Sequence, residues 1–215
     1  MSAPRRSKKA CPNCGELFDV WYWDSINLEL HIEASEKMKK AEYFRRTCPF
    51  CWKQFIEIYP VACYSRSMKV LVQLHAGEDC ERYFHLDERM EDGLRLSNVY
   101  DADDLAEKAL ALQNGRDDRI VEMCKFWLLL KFARHYPNFE LARLYYEIED
   151  GNEKIIGVDV KGVKGVVDFP TSVYQQFETA FRDILPLEKA RHDEYNTEWA
   201  DSFVCEHVDI LKQLK

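Results

Sequence analysis

The sequence predicts an α+β fold, and three observations carry that prediction. Two Cys-x-x-Cys pairs near the N-terminus each open onto a stretch suited to extended chain. Two runs of apolar residues at three- and four-residue spacing lie between residues 101 and 137. A Glu149-Asp150-Gly151-Asn152 tetrapeptide separates two β-like segments. With 215 residues, 47% of them hydrophobic and 13% aromatic, the chain has ample material for a packed core.

The first pair, Cys11-Pro12-Asn13-Cys14-Gly15, follows a basic segment holding Arg5, Arg6, Lys8 and Lys9. No apolar stretch follows those cations, so residues 1–8 are expected to be a flexible tail and not a secretory signal. Residues 16–23 place Phe18, Val20 and Tyr22 on one face of a strand leaving the first pair. Asp24-Ser25-Ile26-Asn27 reads as a turn, residues 28–43 as a weak helix with Ser35 as a cap, and residues 44–47 as an extended entry to Cys48-Pro49-Phe50-Cys51-Trp52. A strand through Phe55, Ile56, Ile58 and Tyr59 leaves this second pair and is broken at Pro60. Residues 68–74 are expected to pair with it across a Ser65-Arg66-Ser67 turn, and residues 76–93 to be irregular.

From Asp101, which can cap, Leu105, Ala109 and Leu112 mark a helix closed by Gly115. A second helix opens at Asp117 or Asp118, carries apolar residues on most sides and stops at Pro137, so it is expected to be central to the core. Residues 141–148 and 154–160 form a hairpin, and residues 165–169 add a third strand. Pro170-Thr171 opens a helix that runs through Phe177 and Phe181 to Leu185. A last helix over residues 187–214 presents Tyr195, Trp199, Phe203 and Leu211. The expected organisation is a tail over 1–8, a metal-ribbon and helical region over 9–135, and a hairpin with C-terminal helices over 136–215, packed on the first region.

Residues 1–70 hold 12 Lys/Arg against 8 Asp/Glu, whereas the remainder holds 18 against 30. The basic end is therefore the cysteine-bearing end. No apolar run approaches the length of about 18 residues that a membrane helix needs, and the expected location is the cytoplasm. Cys63 and Cys124 sit in apolar settings and read as core, Cys80 sits among charges, and Cys205 stands alone.

Cys11, Cys14, Cys48 and Cys51 together have the spacing of one tetrathiolate metal site, with thirty-three residues between Cys14 and Cys48. Zinc is the expected ion. Four thiolates close its coordination, so the site is expected to stabilise and not to catalyse. Iron is the alternative ion, in which case the chain would be a rubredoxin-like electron carrier. Trp52, where glycine follows the first pair, is expected to crowd the backbone N–H groups that tune an iron centre.

The two knuckles, the Val20-Trp21-Tyr22-Trp23-Asp24-Ser25-Ile26-Asn27 segment, residues 44–51, Tyr59-Pro60 and the later Asp117-Asp118-Arg119 together resemble the CpXC domain of bacterial proteins, over residues 9–130. The resemblance implies a cysteine-bound metal and a bacterial or archaeal source, and it implies no activity.

Other candidates have plainer readings. Lys37, Lys39, Lys40, Arg45 and Arg46, near Trp21, Trp23, Tyr43 and Phe44, suit a single-stranded nucleic acid, yet they equally suit a solvated face over a small aromatic core. Lys39, Lys40, Arg45 and Arg46 are the candidate nucleic-acid contacts. His31, His75, His85, His135, His192 and His207 show no metal spacing. Glu194, Glu198 and Asp201 can share a helix face, for which solvation suffices. With no catalytic set, the expected function is a zinc-stabilised, non-enzymatic adaptor that binds another macromolecule, protein more readily than nucleic acid. A zinc-ribbon nucleic-acid regulator is the alternative.

Overall fold

The computed structural model describes residues 4–39, 42–76, 94–135, 140–185 and 194–212. The chain divides into two compact units, Met1–Ala109 and Leu110–Lys215. The helix that ends at residue 135 contributes its apolar residues to the core of the second unit.

In the first unit β1 (Arg5–Ala10) and β2 (Leu17–Tyr22) form an antiparallel hairpin. Residues 5–8, expected as tail, are strand. Ion pairs fix them: Arg5 to Asp24 at 3.0 Å, Arg6 to Asp19, and the following Lys9 to Glu57 at 2.7 Å. Next come β3 (Ser25–Asn27), α1 (Ile32–Lys39) and a 3-10 turn over Glu42–Phe44. Asn27 Oδ1 accepts the N–H groups of Glu29 and Leu30, so the chain turns over residues 27–31 before α1 starts. The helix is therefore shorter than expected, and Ser35 lies inside it.

β4 (Arg45–Thr47) and β5 (Gln54–Ile56) make a second antiparallel hairpin around the second cysteine pair. After Pro60 the chain forms β6 (Val61–Ser65) and β7 (Val70–Leu74), followed by β8 (Arg95–Val99) and α2 (Ala102–Gln113). The partner of β7 is thus β6 and not the strand leaving Cys51, since Pro60 separates the two. The sheet runs β3-β6-β7-β8 and is mixed: β3/β6 and β7/β8 are parallel, and only β6/β7 is antiparallel. Among the described residues no ladder hydrogen bonds join the hairpins to this sheet. Glu29 holds the β6–β7 turn, accepting from the hydroxyls of Ser65 (2.8 Å) and Ser67 (2.9 Å) and from the N–H groups of Arg66 and Ser67.

The second unit contains α3 (Asp118–His135), β9 (Leu141–Glu149), β10 (Asn152–Asp159), β11 (Lys164–Asp168), α4 (Thr171–Ala180), α5 (Thr197–Glu206) and α6 (Val208–Leu211). The sheet β11-β10-β9 is antiparallel throughout. Asp150 and Gly151 both take positive φ at its first turn, as a two-residue hairpin requires. Met123, Cys124, Ile155, Phe181 and Ala200 are fully buried at the centre, which confirms α3 as a core helix. The expected helix over 187–214 is shorter: α5 starts at Thr197, where Asn196 Oδ1 caps the N–H of Trp199 at 2.9 Å. At the head of α3, Arg116 makes a bidentate pair with Glu153 (2.7 and 2.6 Å) and stands over the rings of Phe169 and Tyr174.

A candidate metal centre in the first unit

Each cysteine pair sits in the turn of its own hairpin, and the two turns repeat one hydrogen-bond pattern. Cys11 N–H donates to Glu16 O and Gly15 N–H to Cys11 O; Cys48 N–H donates to Lys53 O and Trp52 N–H to Cys48 O, all within 2.9–3.0 Å. The fifth residue of each turn needs the left-handed region, and both reach it: Gly15 has φ +77° and Trp52 φ +60°. The expected crowding at Trp52 does not occur. Its ring points outward and is 77% exposed, so the second knuckle keeps the shape of the first.

The hairpins bring the four sulfurs within 4.8 Å of one another. Cys11 Sγ lies 3.7 Å from Cys51 Sγ, and Cys14 Sγ 3.7 Å from Cys48 Sγ. A tetrahedron with metal–sulfur bonds of about 2.3 Å has edges of about 3.8 Å, so the four donors fit a single tetrahedral ion. Cys11 and Cys48 are buried, Cys51 is half-buried and Cys14 is exposed. The Glu16 N–H pulls the Cys14 thiol down, yet the desolvation its neighbours impose and the adjoining thiols of Cys11, Cys51 and Cys48 outweigh it and push the thiol up to about 12. The Lys53 N–H, helped by the Asn13 amide, draws Cys51 down to about 6. Sulfurs this close cannot all hold negative charge unaided, and a bound cation removes the conflict.

Phe18 meets Phe55 edge-to-face across the hairpins at 6.3 Å. Beside them Tyr22, Tyr43, Phe44 and Tyr59 form an aromatic cluster with centroids 4.9–6.0 Å apart. Arg46 is part of this cluster. Its guanidinium lies over the rings of Tyr22 and Tyr59, donates to the Tyr43 carbonyl at 2.8 Å and sits 3.5 Å from the Glu57 carboxylate. Of the candidate nucleic-acid contacts, Arg46 is thus held inside the unit, while Arg45 is exposed and reaches Gln54. Lys40 and the Lys39 side chain lie outside the described residues.

A family model described as CpXC protein matches residues 10–125, more than half of the chain, and takes in all four cysteines. The chain belongs to the CpXC family. No curated protein and no solved structure matches it. The CpXC match extends past the metal centre to Asp117 and Arg119, whose side chains pair at the head of α3.

The remaining candidates do not converge. His31 Nδ1 accepts the Asn27 N–H, His75 Nε2 meets Asn98 Oδ1, and His207 lies against Phe203. His85, His192 and the His135 side chain lie outside the described residues, as does Cys80. Glu194 precedes α5 and bonds Asn196, so it does not share the helix face of Glu198 and Asp201. Those two line a hollow of about 320 Å³ between α3, β9 and α5, with Thr197 and Arg143 as its other polar groups. Among the described residues the four cysteines are the one group placed to hold an ion, and no helix is long and apolar enough to cross a membrane.

Proposed function

We propose that the chain is a zinc-stabilised, non-catalytic interaction protein whose metal clasps two hairpins and thereby presents a surface to another protein. The observation that carries this reading is the placement of exposed apolar side chains. Of fourteen large ones among the described residues, eight fall within residues 17–58, including Trp21 (57% exposed), Phe50, Trp52 and Ile56. Isolated exposed apolar residues are ordinary, but such concentration around a closed metal site marks a contact surface. Zinc suits a site that joins two hairpins, because it keeps one redox state and one tetrahedral geometry. The reading places the chain in the cytoplasm of a bacterial cell, where thiols stay reduced and free to hold a metal.

A native-host pull-down on the full chain, read for proteins, nucleic acid and metal in one sample, tests this reading. The expected result is one zinc per chain and a partner protein retained as salt rises. A coloured, iron-loaded sample would make the chain an electron carrier. Capture of nucleic acid that falls away with salt would make it a nucleic-acid regulator.

A further inference from the structure

We infer that the outward edge of β2 is a docking strand: an extended segment of a partner protein adds to it as a third strand, lying in the groove between β2, α1 and β4. The inference rests on the protein-partner reading above and narrows it to one edge and one mode of binding.

The hairpin register decides which backbone groups are open. Cys11 N–H donates to Glu16 O, so from that pair the ladder bonds fall alternately on Phe18, Val20 and Tyr22. Leu17, Asp19 and Trp21 turn their N–H and C=O groups to the other side. Trp23, next in the alternation, has its N–H satisfied there by the Tyr43 hydroxyl at 3.2 Å. Among the described residues no hydrogen bond reaches the main-chain groups of Asp19 or Trp21 on that side, and no strand pairs with that edge.

The two edges of the hairpin are treated differently. β1 carries Arg5, Arg6, Lys8 and Lys9, the kind of edge that repels added strands. β2 carries Phe18, Val20, Trp21 and Tyr22, with Asp19 as its single charge. The β2 edge also borders a groove of about 1200 Å³ whose far side is made by α1 and the edge of β4. Trp21, Leu30 and Ile32 line it as exposed apolar contacts, and the alternate side chains of an added strand would meet them.

Charge selects the occupant. In the groove Asp19 pairs with Arg6 and Arg46 with Glu57, which leaves Lys37 and Arg45 against Glu33 and Glu42. A balanced groove gives a polyanion no net attraction, so a peptide is favoured over nucleic acid. Concavity argues against a second copy of the chain. Its own β2 edge would also lie at the bottom of a groove, and the walls of the two grooves would meet before the edges approached the roughly 4.8 Å of paired strands.

The test selects binders of the zinc-loaded full chain from a displayed library of random linear peptides. It then measures one selected peptide against wild type, Asp19→Pro and Asp19→Asn. Proline removes one outward N–H and leaves the β1 ladder intact, whereas asparagine removes only the charge. The expected result is about tenfold weaker binding to Asp19→Pro and unchanged binding to Asp19→Asn. As a measure independent of the variant's folding, methylating the peptide's amide nitrogens one at a time should abolish binding to wild type at every second position and be tolerated between. Failure to enrich any peptide, or tolerance of methylation throughout, overturns the inference. A concentration-dependent dimer lost in Asp19→Pro, or salt-sensitive capture of an oligothymidylate in the groove, overturns it in favour of those occupants. A pulled-down partner whose binding ignores Asp19→Pro sinks the docking strand while the interaction reading survives.

Discussion

Gly15 and Trp52 hold the same station in the two knuckles, each in the left-handed region and each donating its N–H to the carbonyl of the first cysteine of its pair. For tryptophan that conformation costs about 1–2 kcal/mol, against the smaller loss of about 0.5–1 kcal/mol that glycine suffers in backbone entropy. Trp52→Gly is therefore expected to stabilise the first unit by about 0.5–1 kcal/mol and to leave metal retention unchanged. Thermal melting with a chelator-competition assay checks this, and a lower melting point would show that the exposed indole makes contacts that outweigh the strain.

Removing the metal acts on a defined part of the chain. In zinc-finger peptides, metal binding is worth on the order of 10–16 kcal/mol, comparable to a whole domain's stability. A chelator, or Cys48→Ser, is expected to abolish amide-exchange protection in β1, β2, β4 and β5 while β9 to β11 keep theirs. Uniform protection before and after chelation would show that the ion is dispensable to the fold.

Arg46 separates folding from recognition. Arg46→Glu loses the Tyr43 carbonyl, both tyrosine rings and Glu57, and it places a second carboxylate beside the first. A loss of about 3 kcal/mol is expected, whereas Arg45→Glu on the exposed neighbour should lie within about 0.5 kcal/mol of wild type. Urea unfolding of the two variants makes the comparison. Equal stabilities would mean that Arg46 is as solvated as Arg45.

Glu29 sits at the β6–β7 turn with four donors around one carboxylate. Burial alone would raise its pKa, but the Ser65 and Ser67 hydroxyls and two backbone N–H groups hold it below the ordinary carboxylate range. Glu29→Ala removes an acceptor from all four donors, of which those on Arg66 and Ser67 can turn to water, and is expected to cost about 1 kcal/mol, measured by denaturant unfolding at neutral pH. Rescue to within about 0.5 kcal/mol by Glu29→Gln, which keeps one acceptor, distinguishes lost hydrogen bonding from lost side-chain volume.

The Arg116–Glu153 pair gives the second unit an acid limit. The Arg116 hydrogen bonds hold the Glu153 carboxyl below its usual 4.5 despite partial burial. A depressed folded pKa contributes stability that is complete above the unfolded value and is lost as pH falls through the folded one. The contribution should therefore be constant at neutral pH and fade below about pH 4.5, and Glu153→Gln should flatten that part of the curve. A variant with the wild-type acid slope would place the titration elsewhere.

The gathering of Cys11, Cys14, Cys48 and Cys51 into one cluster was legible in the sequence because two short-range spacings suffice to suggest it, and α2, α3 and the β9–β10 hairpin because their periodicities are long. β3 and β8 were not. Ser25-Ile26-Asn27 is too short to show alternation, and Arg95-Leu96-Ser97-Asn98-Val99 reads as polar, yet all five of its residues are buried. Their pairing depends on parallel neighbours distant in the chain, Cys63 for Ile26 and Leu71 for Leu96, which no local pattern reveals. The conformation of Trp52 was hidden for another reason: the hydrogen-bond frame of the knuckle overrides a residue's own φ preference.

The separation of the two knuckles has a consequence during synthesis. Cys14 and Cys48 are 34 positions apart, and a ribosome adding about 5–20 residues per second needs about 2–7 s to cover that distance. For that interval the first pair of thiols exists without its counterpart, exposed to oxidants and to any thiol-seeking ion.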